Sequence, residues 1–113
     1  MPTNPNPRVL MVHDDPTLAE ELAIVMPDWH VGCTEHGDLA VDEAGAFDVV
    51  IVDLEREPVD GWFVLARLAP TDVDVVALAK PRHAARAIAL GAHTVVTDAS
   101  HLAGALSAAP LAA

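Results

Sequence analysis

The sequence has few cations, a single cysteine and no long apolar run. Lys and Arg total 6 against 17 Asp and Glu, which gives a formal net charge of -11. Such a charge repels phosphate backbones and anionic lipid surfaces, so we expect no direct binding of nucleic acid or membranes. Because Cys33 is the single cysteine, the chain cannot form an intramolecular disulfide. This fits a reducing compartment, where a lone cysteine is usually buried in the core as a packing residue.

No segment has the pattern of an export signal or a membrane anchor. Residues 1–7 contain three prolines and no apolar core, and no apolar run approaches the roughly 18 residues needed to cross a bilayer. These absences predict a cytoplasmic protein. The 113 residues, 52% of them hydrophobic, suffice for one core. We expect a domain over 8–109 between a disordered tail at 1–7 and a tail at 110–113, with any effector a separate molecule.

Short apolar runs alternate with segments of helical periodicity along the chain. The predicted strands cover 9–12, 29–34, 49–52, 73–79 and 93–97, and helices are predicted over 16–26, 38–44, 61–69, 81–91 and 100–109. The third strand is four β-branched residues without polar alternation, which is typical of a central strand covered on both faces. Strands that alternate with helices through such short connections must be parallel and joined by right-handed crossovers. The predicted fold class is therefore α/β, a three-layer doubly wound (βα)5 sandwich.

Polar residues follow the predicted strands directly, and parallel strands should bring them to one edge of the sheet. These residues are His13, Asp14 and Asp15 after the first strand, Asp53 after the third, Lys80 after the fourth and Asp98 after the fifth. Carboxylates placed together repel one another unless a hard cation binds their oxygens. We predict a magnesium site formed by Asp14, Asp53 and the backbone carbonyl of Glu55, where Asp53 can act as a nucleophile towards a phosphoryl donor.

Four stretches resemble the receiver domains of bacterial two-component response regulators. They are RVLMVHDDP from Arg8, FDVVIVDL around Asp53, the pair Asp60-Gly61, and ALGA ending at Ala92. The resemblance spans 8–109 and implies a flavodoxin-like fold with a five-stranded parallel sheet in the order 2-1-3-4-5. It also implies that Asp53 accepts phosphate from a histidine kinase, while Asp14 and the Glu55 carbonyl hold Mg²⁺.

The sequence departs from the family pattern at four positions. His13 stands where the family usually has an acid, which weakens the expected affinity for Mg²⁺. Ala79 takes the place of the switch Thr or Ser, and Val95 that of the switch aromatic residue. Asp98 stands where a lysine neutralises the phosphoryl group. We therefore predict a stand-alone, atypical receiver that signals by protein contacts, either after phosphorylation of Asp53 or independently of it.

Several of these residues also have plainer interpretations. His13 is more simply a strand-end histidine bonded to a neighbouring carboxylate, and Asp98 is more simply a cap of the last helix than a metal ligand. Lys80, the only lysine, either replaces the missing phosphate-binding lysine or is a solvated loop residue. Asp53 and Asp14 could each be turn or capping aspartates.

The resemblance implies that partners, or a second copy of the chain, bind the face made by the fourth helix, fifth strand and fifth helix. The basic residues expected there are Arg82, His83, Arg86, His93 and His101, with apolar contacts from Leu102, Ala105 and Leu106. The aromatic residues Trp62, Phe63 and Phe47 are interpreted as core or helix packing.

Two other functions would use the same strand ends. A flavodoxin-like module could bind a nucleotide or flavin, but no glycine-rich phosphate loop follows the first strand. Metal-assisted phosphate hydrolysis needs a second acid two residues beyond the nucleophile and also a downstream lysine. Glu55 supplies only the first of these two groups. We rank the receiver first and the hydrolase last, and we expect the chain not to be an enzyme.

Overall fold

The structure is a computed structural model that describes residues 7–13, 16–55 and 60–108. The predicted tails, apart from Pro7, lie outside these ranges, as do Asp14 and Asp15. The strands are β1 Arg8–Val12, β2 His30–Thr34, β3 Val49–Asp53, β4 Asp74–Leu78 and β5 Thr94–Val96. The α-helices are α1 Pro16–Val25, α2 Gly37–Glu43, α3 Gly61–Leu68, α4 Ala84–Ala89 and α5 Leu102–Ala108. Short 3-10 turns occupy Ala44–Ala46, Pro81–His83 and Ala99–His101.

The strands form one parallel sheet in the order β2-β1-β3-β4-β5. This order and the alternating helices confirm the predicted fold class. The register aligns Val12 of β1 with Val52 of β3, and Asp53 with Leu78 of β4. The residue after Val12 is His13, so the register places its side chain at the level of Asp53.

Helices cover both faces of the sheet, since successive strand residues point to opposite sides. One apolar cluster joins α3 residues such as Val64 and Leu68 to alternate residues of β3 and β4, with Ala40 of α2 and Ala87 of α4. The other joins α1 and α5 to the opposite face of the sheet. All five residues of β3 are buried, which fits a central strand enclosed by two layers of helices. Within the described part of the chain, the longest helix is too short to cross a membrane.

Some expectations about individual side chains are wrong. Cys33 is exposed, because it lies on the edge strand β2 rather than in the centre of the sheet. Leu102 and Leu106 are each only 1% exposed and are not available to a partner, because their spacing of four residues turns both towards the sheet. Phe63 is 46% exposed and therefore not a core residue.

Gly61 begins α3 where the helix comes closest to the end of β3. A Cβ atom at this position would overlap the backbone carbonyl oxygen of Asp53 and lie 3.0 Å from Cγ1 of Val52. The helix start is further fixed by Asp60, whose Oδ1 accepts a hydrogen bond of 3.1 Å from the Phe63 N–H. The Asp-Gly pair therefore allows α3 to pack directly against the strand that carries Asp53.

We expect Gly61→Ala to lower the free energy of unfolding by about 2 kcal/mol, because the added methyl group must displace backbone rather than a flexible side chain. Gly45→Ala is the matched control, since nothing lies within 4 Å of a Cβ atom there. Urea denaturation followed by circular dichroism measures both. Equal stabilities of the two variants would contradict the close approach of α3 to β3.

Candidate functional site

Asp53 lies at the carboxyl end of β3 with both of its carboxylate oxygens hydrogen-bonded. Its Oδ2 atom is 3.1 Å from Nε2 of His13, and its Oδ1 atom accepts a hydrogen bond of 2.9 Å from the backbone N–H of Glu55. Asp53 is 7% exposed and His13 is 6% exposed, and they are the buried polar or charged residues of the described ranges. Each therefore supplies the hydrogen-bonding partner that the other needs once it leaves water.

The backbone of His13 is anchored to the neighbouring strand. Its N–H donates to the carbonyl oxygen of Thr34 at 2.9 Å, and its own carbonyl oxygen accepts a weak hydrogen bond from Sγ of Cys33 at 3.5 Å. These contacts fix the backbone on the β2 side and leave the imidazole ring directed at Asp53. The structure thus contains the bond to a neighbouring carboxylate that was the plainer interpretation of this histidine.

The side chain of Glu55 connects two loops at this edge of the sheet. Its Oε2 atom accepts a hydrogen bond of 3.1 Å from the Lys80 N–H and lies 2.6 Å from Nδ1 of His83. The His83 ring meets the Trp62 ring edge-on, with 5.9 Å between the ring centroids. Sequence reasoning considered the backbone carbonyl of Glu55 as a metal ligand and its carboxyl group as the second acid of a hydrolase. No pattern in the sequence pairs that carboxylate with a histidine 28 residues away.

The pKa of Glu55 lies below its ordinary value of 4.5. Burial of the carboxyl group raises this pKa, but hydrogen bonds from His83 and from the Lys80 N–H, together with the positive charges of both residues, outweigh burial. Glu55 is therefore held in its charged form. This charge stabilises the contact between the loop after β3 and the turn that precedes α4.

An open cleft of about 430 Å³ lies in front of Asp53. Its lining residues are His13, Thr17, Leu18, Glu21, Asp53, Glu55, Leu78, Ala79, Lys80, Val96 and Thr97. Sequence reasoning missed Thr17, Glu21 and Thr97. Thr97 directly follows β5, so the rule that polar residues converge at strand ends could have identified it. Thr17 and Thr97 place hydroxyl-bearing side chains at the cleft, although Ala79 has none.

Of the other predicted site residues, Lys80 and Ala79 line the cleft and Asp98 does not. Lys80 is exposed and borders the cleft. Ala79 is buried, and its N–H donates to the carbonyl oxygen of Val96 at 3.1 Å. Asp98 is exposed and does not line the cleft. Its Oδ1 atom accepts hydrogen bonds from the N–H and the hydroxyl of Ser100, both at 3.0 Å, which lower its pKa. The geometry of Asp98 is that of a helix cap.

The described residues do not by themselves fit a bound magnesium ion. Asp14, the first predicted ligand, lies outside the described ranges. Among the residues inside them, no group of three or more His, Cys, Asp or Glu side chains is placed to hold a metal ion. Oδ2 of Asp53 faces an imidazole nitrogen of His13, which is a poor neighbour for a divalent cation unless the ring moves.

No protein-family model and no curated protein matches the sequence. Solved receiver domains are nevertheless similar in structure over 90% of the chain. The receiver domain of a DNA-binding response regulator from Colwellia psychrerythraea is 22% identical, with a TM-score of 0.72 and 96% of that chain covered. That of a Francisella response regulator is 18% identical, with a TM-score of 0.74 and 94% covered. That of a Pseudomonas aeruginosa sensor histidine kinase, with magnesium in its active-site cleft, is 18% identical, with a TM-score of 0.71 and 95% covered.

We expect Glu55→Gln to lower the free energy of unfolding by about 1 to 2 kcal/mol at pH 7, because the charged partner of His83 and of the Lys80 N–H is lost. A carboxyl group with a depressed pKa stabilises the fold above its ordinary pKa, and this stabilisation disappears as the pH falls through the pKa of the folded state. The difference between the wild type and Glu55→Gln should therefore vanish on acidification below pH 4.5.

Chemical denaturation at a series of pH values measures this effect. Glu21→Gln is the matched control, since Glu21 also lines the cleft but is exposed. A pH-independent difference for Glu55→Gln, or an equal effect of Glu21→Gln, would show that the Glu55 carboxylate does not tie the two loops together.

Proposed function

We propose that this chain, which has the fold of response regulator receiver domains, works as an atypical receiver in two-component signal transduction. The observation that supports this proposal is the position of Asp53. It is the buried carboxylate at the end of the central strand, and it borders an open cleft. We assign Asp53 the role of phosphoacceptor and a histidine kinase the role of donor.

Phosphorylation would begin with attack of an Asp53 carboxylate oxygen on the phosphorus atom of a phosphohistidine. A P–O bond forms while the P–N bond breaks, and the donor imidazole keeps the electron pair and takes up a proton. Both Asp53 oxygens are hydrogen-bonded before the reaction, to His13 and to the Glu55 N–H. Phosphorylation of either oxygen makes it a weaker acceptor and so weakens the hydrogen bond to that oxygen. His13 then lies within reach to donate from Nε2 to the new phosphoryl group.

Other residues at the cleft would adapt the site to this chemistry. Lys80 borders the cleft as a cation, so we propose that it replaces the phosphate-binding lysine that is absent at Asp98. An acid at position 13 would bring a second carboxylate to Asp53, whereas His13 brings an imidazole, so we propose that the site has only weak affinity for Mg²⁺.

The signal would leave the domain through contacts with a partner protein in the cytoplasm. Ala79 offers no hydroxyl group to bond a phosphoryl oxygen, and Val95 packs against the core instead of presenting an aromatic ring. The coupled rearrangement of a hydroxyl and an aromatic side chain is therefore unavailable at these two positions. Binding of the partner would depend on surfaces that are already formed in the resting protein.

The flavodoxin-like alternative gains no support from the cleft. Its lining includes the carboxylates of Glu21, Asp53 and Glu55. Their combined negative charge repels the phosphate groups of a nucleotide or of flavin mononucleotide.

We expect intact-mass analysis after incubation with acetyl phosphate to show one added phosphate on the wild type and none on Asp53→Asn. His13→Asp should raise the initial rate of labelling by about tenfold in Mg²⁺ and leave it unchanged in EDTA, because a second carboxylate at this position strengthens metal binding. His30→Asp is the matched control, since His30 is an exposed histidine at the opposite end of β2.

Equal labelling of the wild type and Asp53→Asn would exclude Asp53 as the phosphoacceptor. Absence of an adduct on every variant, His13→Asp included, would refute the phosphoacceptor role and leave a binding module that works without phosphorylation. Equal gains for His13→Asp and His30→Asp would show that the added charge acts non-specifically.

A further inference from the structure

The charges of this acidic protein are distributed unevenly. The chain has 17 Asp and Glu, but residues 61–70 and 80–97 contain none of them. Four of the six Lys and Arg residues fall within these two stretches. They correspond to α3, to α4 with the turn before it, and to β5. The helices α3 and α4 cover the same side of the sheet, since both contribute to one apolar cluster. Most of the cations therefore lie in two acid-free stretches of an otherwise acidic chain.

Arginine side chains lie over aromatic rings at this surface. Cζ of Arg86, on α4, is 4.6 Å from the ring centroid of Trp62, on α3, so this contact bridges the two helices. Cζ of Arg67 is 5.7 Å from the ring centroid of Phe63, one helical turn away. Both arginines are exposed, as is Arg82 one turn before Arg86. We call the surface of Trp62, Phe63, Arg67, Arg82 and Arg86 the basic face.

The composition of the basic face is that of a protein-binding surface. Trp, Phe and Arg are enriched at interfaces, and Trp and Arg are frequent among residues that dominate binding energy. Phe63 is 46% exposed, so a partner could remove its apolar ring from water. An arginine that is already stacked on a ring loses less conformational freedom when its guanidinium group binds a carboxylate in a bidentate manner.

We propose that the basic face binds an acidic segment of a partner protein, with carboxylates on Arg67 and Arg86 and an apolar side chain against Phe63. A short acidic segment exposes fewer of its charges to the acidic remainder of the molecule than a long polyanion does. A long polyanion such as nucleic acid extends beyond this face onto a protein of net charge -11 and is repelled there. Binding of a second copy would join two different surfaces and form an open-ended assembly rather than a closed dimer.

This surface differs from the predicted face of α4, β5 and α5, because it includes α3 and does not include α5. The proposal does not require phosphorylation of Asp53. The two proposals can therefore fail separately.

A suitable probe is a short fluorescein-labelled peptide in which Asp and Glu alternate with Leu, with binding followed by fluorescence anisotropy. We expect Arg67→Gln, Arg86→Gln and Phe63→Ser each to weaken binding by about 5- to 10-fold. A peptide with Asn and Gln in place of Asp and Glu should bind more weakly still. Added salt should weaken the binding of the acidic peptide. Circular dichroism confirms that each variant is folded.

Arg8→Gln is the matched control. Arg8 also lies over an aromatic ring, with Cζ 5.2 Å from the centroid of Phe47, but it belongs to β1 rather than to the basic face. Arg8→Gln should bind the peptide as the wild type does. Chemical-shift mapping should place the peptide on α3 and α4.

Four results would overturn the proposal. The first is the absence of binding by the wild type, and the second is equal weakening by Arg8→Gln and Arg86→Gln. The third is tighter binding of an oligonucleotide of equal charge, which would indicate nucleic acid instead. The fourth is self-association of the wild type in sedimentation experiments that is lost in Arg86→Gln, which would indicate a second copy of the chain.

Discussion

The contact between His13 and Asp53 is the interaction on which the edge of the sheet depends. The two residues are 6% and 7% exposed at the ends of adjacent strands, and their side-chain atoms are 3.1 Å apart. Loss of either residue would remove a hydrogen-bonding partner from the other. Since Asp53 is only 7% exposed where it borders the cleft, its carboxylate must be satisfied largely by protein groups. His13 and the Glu55 N–H do this together, and the residues that border the cleft are arranged around them.

A histidine at position 13 gives this edge of the sheet different electrostatics from those that an acid would give. A second acid would repel Asp53 and require a cation, whereas an imidazole satisfies Asp53 without one. The Glu55 carboxylate then connects the loop after β3 to the turn before α4 through His83 and the Lys80 N–H. Within the described residues, protein groups thus satisfy both the Asp53 and the Glu55 carboxylates. This arrangement supports the proposal that a partner binds surfaces already formed in the resting protein, such as the basic face on α3 and α4.

The sequence predicts the layered fold and the bond of His13 to a neighbouring carboxylate better than it predicts which side chains are exposed. The β-branched run in β3 and the residues after each strand are local signals, and parallel strands place those residues at one edge. The pairing of Glu55 with His83 depends on the path of two loops, which no local pattern encodes. Exposure is equally non-local. Cys33 is exposed because β2 is an edge strand, and Phe63 is exposed because of the side of α3 on which it lies.

A double-mutant cycle measures how strongly His13 and Asp53 stabilise each other. The free energy of unfolding at pH 7 is measured for the wild type, His13→Ala, Asp53→Ala and the double variant. We expect a coupling energy of about 1 to 3 kcal/mol between the two residues. The exposed pair of His36 and Glu35, 3.9 Å apart, provides the reference cycle and should give a coupling near zero. Additive effects of the His13 and Asp53 substitutions, to within about 0.5 kcal/mol, would contradict the claim that this contact stabilises the site.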